Sequence, residues 1–127
     1  MLFVFGSNLR GIHGAGAAKH AVFHEGAAWG EGIGHFGNSY AIPTKGWAME
    51  VLRLADIQTH IDDFVKYAKE HPELEFQVTQ IGCWLAGYKA SEIAPLFREA
   101  PFNCYFDSAW SWYLPEHKQW GTQSQNQ

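Results

Sequence analysis

Apolar residues recur along this chain in two ways, as short continuous runs and as stripes at helical spacing. Leu2–Phe5 is a continuous run ended by Gly6 and reads as a buried strand. Ala15–His24, rich in Ala and Val, reads as a helix with Gly14 and Gly16 at its start, and an exposed loop is expected over Gly26–Gly37. Tyr40–Ile42 reads as a short strand that stops at Pro43, where the ladder donor is lost. The clearest helix follows: Ile57, Ile61, Phe64, Val65 and Ala68 form one stripe, Asp56 offers an N-cap, and Pro72 bars continuation. Phe76 and Val78 alternate with polar neighbours, so Glu75–Cys83 reads as a strand. Ile93, Leu96, Phe97 and Ala100 make another helical stripe. Because Pro95 belongs in a first turn, its regular part is expected to begin nearer Ala94 than Ser91. Cys104–Phe106 reads as a last strand. Strands alternating with helices predict one α/β domain with a largely parallel sheet over residues 1–120. The polar stretch at 121–127 is expected to be a disordered tail.

Composition narrows the picture. The chain has 127 residues, 46% of them hydrophobic, enough for a real core without staples. Only 17% are charged while 16% are aromatic, so aromatics must serve a core, a pocket or a partner surface. A net charge of −4 lacks the footprint of a general nucleic-acid binder. No apolar stretch is long enough to span a bilayer, and MLFVFGSNLR, without a basic n-region, is not expected to act as a signal peptide. Cys83 and Cys104 make no disulfide framework and are expected as two buried thiols in a reducing cytoplasm.

In open α/β sheets ligands bind beyond the carboxyl ends of the strands, and three unusual segments fall there: Gly6–Ala18, Pro43–Gly46 and Gly82–Tyr88. GIHGAGAA at Gly11–Ala18 fits either a phosphate cradle at a helix start or tight helix–sheet packing that needs small residues. It is neither G-x-G-x-x-G nor a Walker sequence. Asn8 follows a strand directly, placed to meet a sugar or phosphate or to cap a turn. Lys45 at a strand end is either a solvated charge or, if desolvated, a nucleophile. His13, His20, His24 and His35 cluster in the glycine-rich region, but without H-E-x-x-H or a nearby cysteine they do not make a metal site. No metal or cofactor is expected, and no nucleophile-elbow motif supports a catalytic triad.

Asn8, the GAGAA run at Gly14–Ala18, AIPTK at Ala41–Lys45 and QIGCWLAGY at Gln80–Tyr88 together resemble a macrodomain. The resemblance covers residues 2–107 and is closest to the lysine-dependent ADP-ribosyl glycohydrolases, a group that includes antitoxins removing ADP-ribose from DNA. It implies a three-layer α/β/α sandwich and a site for ADP-ribose or a related nucleotide. Asn8 would contact the distal ribose, and His13, Gly14, Ala15 and Gly16 would belong to the first pyrophosphate loop. Gly82, Cys83, Trp84, Leu85, Ala86 and Gly87 would form the second phosphate loop, with Tyr88 flanking the ribose and Lys45 attacking the anomeric carbon. Two positions depart from that pattern. Trp84 stands where the loop has glycine, and no acid occurs between Glu75 and Glu92 to assist the lysine.

The function expected from this resemblance is binding of ADP-ribose, free or on a macromolecule, and its removal or processing. The alternative is a protein that sequesters an ADP-ribose-derived signal without converting it, as a phage counter-defence sponge does. A third reading is an interaction module in which Trp110, Trp112, Tyr113 and Trp120 mediate self-association, against plain core packing of those rings. One expectation follows from charge alone. Arg10, Lys19, Lys45 and Lys89 are the few cations near the glycine-rich segments, so plain duplex DNA should bind only weakly near physiological salt. Fluorescence anisotropy with an unmodified duplex checks this; a sub-micromolar, sequence-independent dissociation constant would contradict it.

Overall fold

A computed structural model describes residues 1–121; the remainder of the predicted tail, 122–127, lies outside the described residues. The elements are β1 (Leu2–Asn8), α1 (Gly16–His24), β2 (Gly34–Phe36), β3 (Ser39–Lys45), α2 (Leu54–Glu70), β4 (Phe76–Val78), α3 (Ala90–Ile93), β5 (Cys104–Asp107) and β6 (Lys118–Trp120). The six strands form one mixed sheet in the order β2-β3-β1-β4-β5-β6. All neighbouring pairs are parallel except β2 against β3.

Strand β1 is the hub of this sheet, hydrogen-bonded to β3 on one side and β4 on the other. Successive side chains of a strand point to opposite faces, and both faces of β1 are apolar. Leu2 and Val4 enter the larger core with the α2 stripe Ile57, Ile61, Phe64, Val65 and Ala68. Phe3 and Phe5 enter a second, smaller cluster with Ala21, against which Ala17 and Ala18 of α1 pack. A strand covered on both faces needs a continuous apolar run rather than an alternating one, which is the pattern of Leu2–Phe5. Small residues on α1 let that helix lie close to the two phenylalanines. The α/β reading and the α2 stripe therefore correspond to what the chain does.

Several boundaries differ, each for a local reason. Strand β1 continues through Gly6 to Asn8, because parallel pairing with Ile42, Pro43 and Lys45 carries it on. Strand β3 likewise runs through Pro43. Its pairing with β2 covers only Ser39–Ala41 and the next partner on that side is Val51 opposite Lys45, so Pro43 falls in the gap between them, where a missing N–H removes no ladder bond. The segment expected as a loop over Gly26–Gly37 holds strand β2, which turns into β3 at Gly37–Asn38. Strand β4 is only three residues, not Glu75–Cys83; beyond it, tight turns close with Ile81 N–H donating to Thr79 O and Cys83 N–H to Gln80 O.

Helix α2 begins one turn earlier than expected, with Arg53 as N-cap and Asp56 inside the first turn. The carboxylate of Asp56 instead accepts from Arg53 Nε at 3.3 Å. The stripe around Ile93 is regular helix before Ala94 and a 3-10 turn over Ala94–Phe97, the reverse of the expected order. Pro95, lacking an N–H, cannot make the bond that would continue the α-helix. Strand β6 had no sequence signal; it is held by parallel pairing with β5 and by the Trp120 indole donating to Val78 O at 2.8 Å. Of the C-terminal aromatics, Trp110 is fully buried and Trp112 is exposed. Among the described residues no helix is long and apolar enough to cross a membrane.

One close approach locks the end of β1 to the segment before β2. Ser7 Oγ donates to Gly32 O at 2.5 Å, and a Cβ built on Gly32 would collide with the carbonyl oxygen of Asn8. Backbone against backbone cannot relax by a side-chain movement. Gly32→Ala should therefore destabilise the fold by about 2 kcal/mol or more. A Cβ on Gly14 meets nothing within 4 Å, so Gly14→Ala should stay within about 0.5 kcal/mol of the parent. Urea unfolding of both variants measures the difference, and equal stabilities would contradict the close approach.

Candidate functional site

Strands β1, β3 and β4 are parallel neighbours and end at the same edge of the sheet, so the segments leaving them diverge around a common space. A cleft of about 470 Å³ opens there. Its floor is the strand ends Gly6, Ser7, Asn8, Thr44 and Lys45. One wall is Ile12 and the start of α1 from Gly14 to Ala18, the other is the turn from Thr79 to Ala86, and Met49 closes a third side.

The first wall is held by Asn8. Its Oδ1 accepts from Ile12 N–H at 3.0 Å and its Nδ2 donates to Ile12 O at 2.8 Å, so the side chain acts as a local clamp on the following loop. This is the turn-capping role of asparagine, and it leaves one amide N–H of Asn8 uncommitted at the cleft. The loop then enters α1, whose N-cap Ala15 supplies no side-chain acceptor. The N–H groups of Gly14 through Ala18 donate to no acceptor among the described residues. Orphan donors at a helix start carry partial positive charge and attract anions.

Across the cleft the second wall turns twice. Gly82, at φ +77°, sits in the left-handed region with a prospective Cβ 3.1 Å from Ile93 Cδ1, which makes glycine the fitting residue there. Cys83 N–H bonds to Gln80 O, Gly87 N–H to Trp84 O and Tyr88 N–H to Gly82 O, and these bonds shape the turn. The N–H groups of Trp84, Leu85 and Ala86 remain without an acceptor among the described residues. Trp84 is 74% exposed and has no positive φ, so the indole neither strains the loop nor belongs to the core.

Lys45 is half-buried at the end of β3, and its ammonium has no carboxylate partner among the described residues. No aspartate or glutamate lines the cleft. The structure thus brings Asn8, Gly14, Ala15, Gly16, Lys45, Gly82, Trp84, Leu85 and Ala86 to one cavity. It places His13, Cys83, Gly87 and Tyr88 outside the lining. His13 is 1% exposed, edge-on to Phe5, with Nε2 3.1 Å from both Ala28 O and Glu31 O. Two carbonyl acceptors require the proton on Nε2, so this imidazole pins the loop 28–31 from beneath. Tyr88 stands behind its turn, donating from its hydroxyl to Leu52 O at 2.5 Å.

Residues that sequence reasoning missed include Ser7, Thr44, Thr79 and Met49. The first three follow from strand ends being the site, whereas Met49 had no signal. It lies in a tight loop, at φ +63°, between Lys45 and Val51, which pair as an antiparallel bridge. The His20 and His24 rings lie 4.9 Å apart on α1, tilted by 40°, with His20 also 4.8 Å from the Phe3 ring, and no group of three or more His, Cys, Asp or Glu able to hold a metal occurs among the described residues. Compared with known protein families, curated proteins and solved structures, the chain gives no significant match.

Cys83 is half-buried rather than buried as expected, while Cys104 is buried. Burial pushes the Cys83 thiol up to about 11, Trp110 N–H offsetting this only in part without a hydrogen bond of ordinary geometry, and Glu92 adding to the rise. Burial alone pushes Cys104 to about 12. Neither is a thiolate nucleophile at neutral pH. Unfolded thiols ionise near 9.0, so the unfolded chain releases these protons first. Stability should hold below pH 9 and fall as pH rises from there toward 12. Thermal unfolding under reducing conditions across pH 8 to 11 checks this, and an unfolding temperature that rises over that range would refute the buried-thiol account.

Proposed function

We propose that this chain is a macrodomain-like protein that binds ADP-ribose, or a nucleotide derived from it, in the cleft at the ends of β1, β3 and β4. The observation that carries this reading is the pair of facing backbone rows. Unsatisfied N–H groups of Gly14–Ala18 and of Trp84–Ala86 border one cavity that has Lys45 as its cation and no carboxylate in its lining. Such an arrangement favours a ligand with two adjacent anionic groups, since each row can satisfy one phosphate by donation from the backbone. A pyrophosphate held between the rows leaves a sugar toward Asn8 and Lys45, where one amide N–H and an ammonium remain to meet it.

Capture of the ligand is better supported than its hydrolysis. Attack by the Lys45 amine on an anomeric carbon needs a proton acceptor for the ammonium and a donor for the leaving group. The lining contains neither an acid nor a histidine to serve. Lys45 then acts as a charge contact to phosphate or sugar, and the protein sequesters an ADP-ribose-derived signal or an ADP-ribosylated partner in a reducing, cytoplasmic setting. Lysine-based removal of ADP-ribose is the second reading, favoured by the unpaired Lys45 ammonium inside the cleft.

ADP-ribose should bind more tightly than AMP or ATP in calorimetry, because the latter two lack a sugar on the far side of a diphosphate. Equal or absent binding to all three would remove the proposed function. Lys45→Ala should weaken ADP-ribose binding by about tenfold, the scale of one charge-assisted contact. Mass spectrometry of the ligand after incubation separates the two readings: intact ADP-ribose supports capture, and conversion by the parent but not by Lys45→Ala establishes the enzyme.

A further inference from the structure

The hydrophilic side chains lining the cleft are Ser7, Asn8, Thr44, Lys45, Thr79 and Gln80. Nearly all are already held by the protein. The three hydroxyls donate inward, Ser7 to Gly32 O, Thr44 to Ser7 O and Thr79 to Val4 O. Asn8 is clamped to Ile12, and Gln80 Nε2 donates to Asp107 Oδ2 at 3.2 Å. Lys45 alone among them has no protein acceptor within the described residues. Discrimination between bases depends on side-chain donors and acceptors aimed at their edges, because a buried polar group left unpaired is what rejects the wrong partner. This cleft carries little of that apparatus.

What it presents instead is apolar surface from two separate segments. Trp84 is 74% exposed, Leu85 67% and Met49 39%, the last on a backbone held at φ +63°. Leu85 reaches toward the α1 wall: a Cβ built on Gly16 would lie 3.9 Å from Leu85 Cδ1, so this side chain spans from one wall to the other. Large apolar side chains that converge while exposed mark a binding surface. A flat aromatic ring suits an indole face, and stacking is indifferent to which base supplies the ring.

We propose that the site is selective for the diphosphate and tolerant of the base. Its ligand class is then sugar-bearing nucleoside diphosphates in general, with the base stacked on Trp84 beside Met49 and Leu85. This rests on the anion-binding reading of the same cleft. The backbone rows and Lys45 set the requirement for a diphosphate, and Trp84 contributes affinity in proportion to the area of the base.

Calorimetry of the full chain with ADP-ribose, a GDP-sugar and a UDP-sugar tests it. The two purine ligands should agree within about tenfold, with the pyrimidine weaker by about tenfold at most. Trp84→Ala should weaken both purine ligands by about tenfold or more, and Trp84→Phe should restore most of the loss. The exposed position lets both variants fold, which circular dichroism verifies. A preference for ADP-ribose over the GDP-sugar of about a hundredfold would overturn base tolerance while leaving the ADP-ribose reading intact. Tighter binding by Trp84→Ala would show that the indole obstructs, and would overturn the stacking role. Absence of binding to all three ligands would remove the anion-binding reading and this proposal with it.

Discussion

Everything in this fold depends on the parallel alignment of β1 with β3 and β4. Parallel strands end together, and at that shared edge the backbone must leave the sheet in three directions at once. The N–H and C=O groups released there have no ladder partner and must find another. Asn8 solves the problem for the first loop by clamping Ile12, and the Gln80–Cys83 turn solves it for the third. The donors that neither device satisfies are the ones bordering the cleft. The cleft's donor rows thus come from the backbone of the α1 start and of the Trp84–Ala86 turn, the two segments that leave β1 and β4 at this edge.

The same edge explains the division of labour among polar side chains. Ser7, Thr44 and Thr79 lie where chain segments cross closely, and each uses its hydroxyl to hold a carbonyl of another segment. They stiffen the floor and the start of the second wall, while the Lys45 ammonium has no acceptor among the described residues. Rigidity of this kind favours binding, because the donors are already oriented before a ligand arrives. It also separates the two walls in character: the α1 side offers small residues and N–H groups, whereas the far side adds the exposed ring of Trp84.

How much of this was legible in the chain differs from element to element. The stripe Ile57, Ile61, Phe64, Val65 and Ala68 is entirely buried, because a long amphipathic helix declares its buried face through period alone. The run Leu2–Phe5 was equally clear, since a strand covered on both faces has no polar alternation to obscure it. Strand β6, by contrast, exists only through its pairing with β5 and the reach of Trp120 to Val78. Such short edge strands carry too few residues for any periodic pattern. Pro43 misled because its effect on a strand depends on whether a neighbour occupies that side, which is a fact about the sheet rather than about the residue. At the site, strand ends and glycine-rich turns pointed to Asn8, Gly14–Gly16, Lys45, Gly82 and Trp84–Ala86, and all of these line the cleft, whereas Cys83 in the same turn does not.

The sequence by itself determined the α/β class, the two-sided burial of β1, the α2 stripe and the three segments that border the cleft. Each of these rests on local chemistry: apolar period, glycine before a helix start, or a proline stop. Only the tertiary structure decided which members of those segments face the cavity. His13 and Tyr88 sit in the right loops yet point to carbonyls behind them, while Met49 arrives from a loop with no signal of its own. Side-chain direction at a loop is fixed by partners distant in sequence, such as Glu31 for His13 and Leu52 for Tyr88. No period along the chain encodes those pairings, because they come into being only when the strands have aligned.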